Sequence, residues 1–288
     1  MTSVGAKLKR ERQQQENRRN RLYVAAVALF AFIWMLPVLW TVVTSFRPEP
    51  ALQRNLASLI PHPFTTENWS FILGSSQLWK WVGNSVFVST THTLAQLTVC
   101  SLAAYAFARL DFYFKRILYV LVLAGLMVPF EATFLPVYLL FANLDLHNTL
   151  IALILPGIAS SFAVFLLTQF FRGIPLELEE AAMMDGASRM RIFLTIILPL
   201  STPVITALAI FTFLGNWNSY LWPLISATTT EVYTIVIGLR KISQAWGFVD
   251  FYGRNMAAAV FTAMPIIIFF FIFQRRIISG IAINSGIK

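Results

Sequence analysis

The sequence predicts an all-α membrane protein with six transmembrane helices. Of the 288 residues, 57% are hydrophobic and 12% are charged, whereas soluble domains carry about 25% charged residues. The mean hydropathy is +0.68. A transmembrane helix needs about 20 predominantly apolar residues. The segments of suitable length are residues 22–46, 84–108, 117–141, 148–171, 198–224 and 256–273.

Residues 1–21 form a basic, polar extension ahead of the first apolar segment. A cleaved signal peptide has an apolar core of about 7–15 residues. Residues 22–46 are much longer and lack a small-residue cleavage site, so we expect an uncleaved first span. Cys100, the single cysteine of the sequence, lies within the second apolar segment, so no internal disulfide can form.

The third segment contains a charged residue, Glu131, between Pro129 and Pro136. A charge near the bilayer centre costs about 2.5–3.5 kcal/mol on insertion scales. Both prolines are expected to break the helix and to free backbone groups around this carboxylate. Two roles stay open for Glu131: a residue of the substrate pathway or gate, or an acceptor that caps the helix break.

Residues 172–199 are the most polar internal stretch and predict a helix, a glycine turn and a second helix. Gly173 and Pro175 end one helix and begin the next. The helix dipole favours the acidic residues of the first turns, which are Glu177, Glu179 and Glu180. The residues predicted to share one face are Leu178, Ala181, Ala182 and Asp185. Gly186 supplies a turn that a residue with a Cβ would resist.

This loop has a defined spacing. Glu180-Ala181-Ala182 is followed after three residues by Gly186 and, nine residues later, by Ile196-x-Leu198-Pro199. That spacing resembles the EAA loop of the membrane-spanning subunits of bacterial ABC importers. Asp185-Gly186-Ala187-Ser188 and Trp217-Asn218-x-Tyr220-Leu221-Trp222-Pro223-Leu224 are similar to the carbohydrate branch of that family, in particular to its maltose-type second permease subunit. The resemblance runs from about Asn84 onward.

The resemblance implies the architecture of an ABC type I importer permease over residues 22–276, with a cytoplasmic coupling helix in the loop 172–199. The residues that it implies for ATPase coupling are Glu180, Ala181, Ala182, Asp185 and Gly186. The other interpretation is an amphipathic helix that lies on the membrane surface. Such helices usually carry basic polar faces, whereas this one carries three glutamates.

The resemblance also implies partners: a homologous permease in a heterodimer, two cytoplasmic ATPase subunits that use ATP and Mg²⁺, and an extracytoplasmic solute-binding protein. The implied cargo is an oligosaccharide, a disaccharide, a related polyol or glycerol phosphate. The outer loops 47–83 and 226–255 would contact the binding protein, and the tail 277–288 would reach the ATPases. The chain lacks a Gly-x-x-x-x-Gly-Lys-Ser/Thr phosphate loop. We therefore expect no cofactor and no enzymatic activity in this chain.

The fifth span offers candidates for sugar contact. Amides hydrogen-bond sugar hydroxyls, and aromatic faces cover the apolar face of a pyranose ring. The side chains of these types are Asn216, Trp217, Asn218 and Tyr220. The alternative is that the asparagines join helices within the membrane. Trp222 is expected to be an interfacial anchor.

The rival function within membrane proteins is an ion-coupled secondary transporter. Such carriers need ionisable groups near the bilayer midplane, and this sequence offers Glu131, His92 and little else. We interpret His92 as a hydrogen-bonded packing residue rather than a proton relay. The histidines show no metal-ligand spacing. The net charge of +9 does not indicate nucleic-acid binding, because the basic residues flank apolar segments.

The distribution of Lys and Arg predicts the orientation of the chain. With the amino terminus inside, 16 of the 22 Lys and Arg residues lie on the cytoplasmic side, as the positive-inside rule requires. We therefore predict a multi-pass protein of a bacterial or archaeal cytoplasmic membrane, with residues 1–21, the loop 172–199 and the tail 277–288 in the cytoplasm.

An impermeant thiol reagent can test this topology in intact cells. Single cysteines introduced at Ser58 and Ser243 are expected to react, because both lie in predicted outer loops. A cysteine at Ser188 is expected to stay unlabelled until the membrane is permeabilised. The reverse labelling pattern would contradict the predicted orientation.

Overall fold

The structure is a computed structural model that describes residues 3–56, 60, 62–246 and 251–284. Ser58, part of each predicted outer loop and the last four residues of the tail 277–288 lie outside the described residues. Within the described residues every regular element is a helix, and no strand occurs. The predicted all-α fold class is confirmed.

The helices follow one another through short links. In chain order they are α1 (Ser3–Ser45), α2 (Glu49–Arg54), α3 (Glu67–Leu73), α4 (Ser76–Arg109), α5 (Lys115–Ala124), α6 (Phe130–Asn143), α7 (Leu150–Ile154), α8 (Ser161–Arg172), α9 (Glu177–Met184), α10 (Arg189–Ile192), α11 (Leu198–Leu200), α12 (Thr202–Trp217), α13 (Leu221–Ser226), α14 (Ile235–Trp246) and α15 (Tyr252–Asn284). A 3-10 turn extends α5, and a π-helical turn joins α10 to α11.

Two helices in the described part are long and apolar enough to cross a membrane without interruption: Asn17–Ser45 within α1, and α4. Three bent pairs also pass this test, and the total rises to five if each pair is one span. Their bends are 103° between α5 and α6, 76° between α8 and α9, and 78° at the junction before α12. The predicted sixth span lies within α15. The count of six spans stays a prediction.

The third predicted span is broken once, not twice. The chain bends at Val128 and Pro129, where α6 begins, and Pro136 lies inside α6 without ending it. The expectation that both prolines break the helix is therefore wrong for Pro136. Proline within a transmembrane helix costs one backbone hydrogen bond, and neighbouring groups in a membrane protein can compensate for it.

The fourth predicted span is also interrupted, at Pro156 and Gly157, where Gly157 has φ +86°. The neighbouring helix α4 supplies hydrogen bonds at this break. A ring nitrogen of His92 lies 2.7 Å from the carbonyl oxygen of Ile154, and the thiol of Cys100 donates to the carbonyl of Ile158 at 3.4 Å. The structure thus places His92 in a packing position, with its second ring nitrogen 3.1 Å from the side-chain oxygen of Gln96.

The chain folds into two compact units. One unit consists of residues 1–74 and 246–261, and the other of residues 75–245 and 262–288. In the larger unit, α4, α8, the segment from α10 to α11, and α12 form the core. Its buried residues are Cys100, Ala104, Tyr105, Phe107, Ala163, Val164, Leu167, Phe171, Ile174, Ile192, Phe193, Ile197 and Leu208. Fully buried alanines on α4 and α8 let these helices approach closely, as is common in membranes.

In the smaller unit, polar groups tie the end of α1 to the short helices after it. The side-chain amide of Asn68 donates to the carbonyls of Ser45 and Arg47 at 3.0 and 2.9 Å. The carboxylate of Glu49 accepts the backbone N–H of Gly253, in the first turn of α15, at 2.8 Å. Burial raises the pKa of Glu49, and the backbone N–H donors at the start of α15 oppose that rise.

At the predicted outer end of the larger unit, the loop 226–235 is held by side chains. The side-chain oxygen of Asn148 accepts two backbone N–H groups of this loop, both at 3.0 Å. The indole of Trp81 donates to the carbonyl of Thr230 at 2.8 Å, and the amide of Asn84 donates to two further carbonyls of the loop. This loop therefore has a defined conformation.

The contact between α4 and α14 yields a test of this packing. A Cβ added at Gly238 would overlap the ring of Trp81, whereas a Cβ at Gly83 would meet nothing within 4 Å. Gly238→Ala is expected to destabilise the protein by about 1–3 kcal/mol, the usual cost of overpacking. Thermal unfolding of the purified protein in detergent would measure this loss. Gly83→Ala is the matched control, and equal stability of the two variants would contradict the observed packing.

Candidate functional site

The loop between α8 and α12 folds as the sequence predicts. Gly173 ends α8, and α9 leaves at an angle of 76° to it. Gly186 follows α9 with φ +79°, the left-handed conformation expected at this turn. Ser188 then caps α10, because its hydroxyl oxygen accepts the N–H of Arg191 at 3.3 Å.

The helix α9 has one buried and one exposed side. Glu179 is fully buried, and Ala182 and Met183 pack against the core. The exposed residues are Glu177, Leu178, Glu180, Ala181, Met184 and Asp185. Ala182 therefore lies on a different side of α9 from Leu178, Ala181 and Asp185, the residues with which it was predicted to share a face. The exposed face combines two large apolar side chains, Leu178 and Met184, with three carboxylates.

A buried ion pair, which the sequence did not reveal, fixes the inner side of α9. Arg109, the last residue of α4, places its Nε 2.5 Å from Oε1 of Glu179, and the two side chains are 9% and 0% exposed. The N–H is not aligned for a hydrogen bond with that oxygen, so the contact is mainly electrostatic. A second nitrogen of Arg109 donates to the carbonyl of Ile174 at 2.5 Å. One guanidinium thus holds both α9 and the link that precedes it.

Tyr105 adds weaker contacts one turn earlier on α4. Its hydroxyl oxygen lies 3.5 Å from Oε2 of Glu179 and 3.4 Å from the carbonyl oxygen of Arg189. Its ring packs against that of Phe193, with the centroids 5.1 Å apart. These contacts place the end of α4 between α9 and α10.

The predicted sugar-contacting residues of the fifth span fall into two groups. Asn216 and Asn218 each donate to the carbonyl four residues earlier in α12, at 3.0 and 2.9 Å, and Asn218 is exposed. Tyr220 is half-buried, and the guanidinium of Arg240 lies 5.2 Å from its ring centroid. Trp217 differs, because it is 2% exposed and its indole donates to the carbonyl of Thr262 at 3.2 Å. Its ring is not open to a sugar in this conformation.

Trp222 is not the interfacial anchor that was expected. It is 7% exposed, and its indole donates to the carbonyl of Ala152 at 2.8 Å. Phe134 and Phe141 pack edge-on against its ring. The expectation is wrong because the side chain packs against α6 and α7 instead of being exposed.

Glu131 lies exposed in the first turn of α6, directly after the 103° bend. The amino-terminal end of a helix favours a negative charge. Among the described residues, no hydrogen bond or ion pair to its carboxylate is found. In this structure Glu131 therefore does not act as an acceptor that caps the helix break.

The family described as "Binding-protein-dependent transport system inner membrane component" matches residues 96–283. This region contains the loop between α8 and α12 and all of the predicted site residues. The chain belongs to this family. It is consequently an inner membrane permease of an ABC transport system and a transport subunit rather than an enzyme.

Curated relatives of this permease match nearly its whole length. The arabinooligosaccharides transport system permease protein AraQ of Halalkalibacterium halodurans is 38% identical over 270 residues, which cover 93% of this chain and 96% of that protein. The trehalose/maltose transport system permease protein MalG of Thermococcus litoralis is 30% identical over 276 residues, 94% of this chain and 98% of that protein.

A solved structure confirms the fold of the permease. A chain from the crystal structure of a bacterial ABC transporter involved in the import of the acidic polysaccharide alginate matches with a TM-score of 0.81. The match covers 91% of this chain and 97% of that chain at 19% sequence identity. Membership of a binding-protein-dependent family does not favour the alternative of an ion-coupled secondary transporter.

The glycine turn after α9 can be tested without changing any packing contact. A Cβ at Gly186 would meet nothing within 4 Å, so within this chain a substitution is opposed by the positive φ rather than by a clash of the Cβ. Gly186→Val is expected to impair transport while the protein still inserts, because the left-handed conformation costs a residue with a Cβ about 1–2 kcal/mol. Gly186→Asn is the control, since asparagine tolerates this conformation. Normal uptake by Gly186→Val, measured at equal membrane levels, would show that the turn is dispensable.

Proposed function

We propose that this permease is one of two membrane subunits of an ABC importer that moves a disaccharide or oligosaccharide into the cell. Separate ATPase subunits, which bind ATP and Mg²⁺, supply the energy. The observation that carries the proposal is the form of α9: one side is fixed to the core by a buried ion pair, and the other is exposed and carries Leu178, Met184 and three carboxylates.

The substrate class is supported by what the relatives are named for. Two AraQ proteins, 38% and 34% identical to this chain, are named for arabinooligosaccharides. Other relatives are named for diacetylchitobiose, lactose and trehalose/maltose. The UgpE proteins, 32% identical, are named for sn-glycerol-3-phosphate. Most of these cargoes are short saccharides, so glycerol phosphate is the less favoured outcome.

The exposed face of α9 indicates the chemistry of the ATPase surface that would receive it. Leu178, Ala181 and Met184 suit an apolar cleft, and the carboxylates of Glu180 and Asp185 suit basic residues at its rim. Gly186 ends this face with the turn toward α10. Closure of the ATPase pair on ATP would displace α9 and alter the access of the spans to either side.

The substrate pathway would lie between this permease and a homologous partner. Asn216, Asn218 and Tyr220 present amides and a ring that suit a sugar, and Glu131 is exposed at the bend between α5 and α6. An extracytoplasmic binding protein would deliver the sugar to the predicted outer loops, 47–83 and 226–255. In this arrangement both termini lie in the cytoplasm of a bacterium or archaeon.

Reconstitution tests the proposal. The purified chain alone is expected to hydrolyse no ATP, because the sequence has no phosphate loop. The complex with the partner permease, the ATPase and the binding protein, reconstituted in proteoliposomes, is expected to import arabinotriose with ATP hydrolysis stimulated by the loaded binding protein.

Maltose, diacetylchitobiose and glycerol-3-phosphate serve as competing substrates in the same assay. Uptake of a competing saccharide without uptake of arabinotriose would change the assigned sugar, but the protein would still be a saccharide importer. Uptake of glycerol-3-phosphate alone would contradict the saccharide assignment. ATP-independent uptake driven by an ion gradient would contradict the proposal as a whole.

A further inference from the structure

We propose that the buried ion pair between Arg109 and Glu179 is the connection through which α9 pulls on the second predicted span, α4. Both residues would then be positioning residues for coupling. The inference rests on the proposed function, because it requires that an ATPase displace α9.

The contacts of α9 differ in strength. Ala182 and Met183 touch the core through apolar atoms, and each such atom pair gains only about 0.1–0.2 kcal/mol. The ion pair resists separation more strongly, because pulling Glu179 away from Arg109 leaves two charges without partners in a site that excludes water. This pair is therefore the strongest single side-chain contact that opposes a movement of α9 away from the core.

The backbone connection from α8 to α9 is less direct than the ion pair. The chain leaves α8 at Gly173, continues through Ile174 and Pro175, and turns by 76° into α9. Arg109 also binds the carbonyl of Ile174, so this link and α9 are attached to the same guanidinium. Arg109 ends an uninterrupted helix of 34 residues, so a pull on its side chain acts directly on the end of α4.

A neighbouring ion pair provides a matched control. Lys115, the first residue of α5, lies 3.5 Å from Asp111 in the link between α4 and α5, and the side chain of Asp111 is fully exposed. This ion pair does not join two helices of the core. Exposed pairs of this kind contribute little, so Lys115→Met removes a charge next to the site without removing a connection between α4 and α9.

The experiment compares Arg109→Met, Glu179→Gln and Lys115→Met in the complete reconstituted complex. The first readout is the amount of arabinotriose imported per ATP hydrolysed. We expect this ratio to fall at least about fivefold in the first two variants, the lower end of typical coupling between sites. It should stay at the wild-type value in Lys115→Met. Binding-protein-stimulated ATP hydrolysis and the amount of assembled complex are expected to persist in all three.

The second readout needs no substrate. Spin labels at Leu102→Cys and Glu177→Cys, in a Cys100→Ser background, report the distance between α4 and α9 without nucleotide and after trapping with ATP and vanadate. With the ion pair intact this distance is expected to stay constant between the two states. In Arg109→Met it is expected to lengthen on trapping.

A double variant distinguishes the proposed role in coupling from a role in folding alone. Arg109→Met/Glu179→Leu leaves no lone buried charge, so it is expected to assemble and to lack any destabilisation that a lone charge causes in the single variants. A normal import ratio in the double variant, or its failure to assemble, would overturn the proposal. If the wild-type complex imports no arabinotriose, the proposed cargo fails, and the distance measurement still decides whether the ion pair holds α9 to α4.

Discussion

One buried ion pair fastens the loop between α8 and α12 to the end of α4. Arg109 and Glu179 belong to segments 70 residues apart in the sequence, and both side chains are almost entirely removed from solvent. Loss of one partner from such a pair typically costs about 3–5 kcal/mol, because the other charge stays buried alone. Since Glu179 faces inward, the helical period of α9 turns Ala181 and Met184 outward. The composition of the exposed face follows from this one contact.

The helix α4 supplies polar groups at two places where its neighbours are interrupted. His92 and Cys100 hydrogen-bond carbonyls around the break between α7 and α8, and Trp81 and Asn84 bond carbonyls of the loop 226–235. An unsatisfied backbone group in a bilayer costs several kcal/mol, so broken helices persist only where such partners exist. This requirement accounts for the buried His92, and for the buried Ser85, whose hydroxyl oxygen accepts the backbone N–H of Ile235.

The sequence predicts local features of this permease well and contacts between distant segments poorly. The turn at Gly186 and the second helix after it depend on neighbouring residues, and both are present. The burial of Trp217 and Trp222 depends on segments 45 and 70 residues away. Hydropathy cannot report those segments, because an indole suits a membrane boundary and a core contact equally.

The sequence around Glu179 indicates that this residue needs a cationic partner, but it does not identify the partner. It precedes Ala182 and Met183 by three and four residues, which places a carboxylate on the apolar side of α9. A charge on such a side requires a partner, so the need for a cation was readable. Its identity was not, because 16 Lys and Arg residues lie on the same predicted side of the membrane. Only the fold brings the end of α4 to that position.

The two ends of the larger unit are held by different chemistry, and the difference bears on how each can move. At the predicted outer end, neutral hydrogen bonds from Asn148, Trp81 and Asn84 hold the loop 226–235, and each contributes about 0.5–1.5 kcal/mol. The bonds from Asn148 and the bond from Asn84 to Glu231 are exposed, so water can replace them one at a time. At the predicted inner end, the ion pair is buried and cannot be hydrated without opening the core. The predicted inner end is therefore suited to move as one body with α9, whereas the predicted outer end can rearrange in small steps.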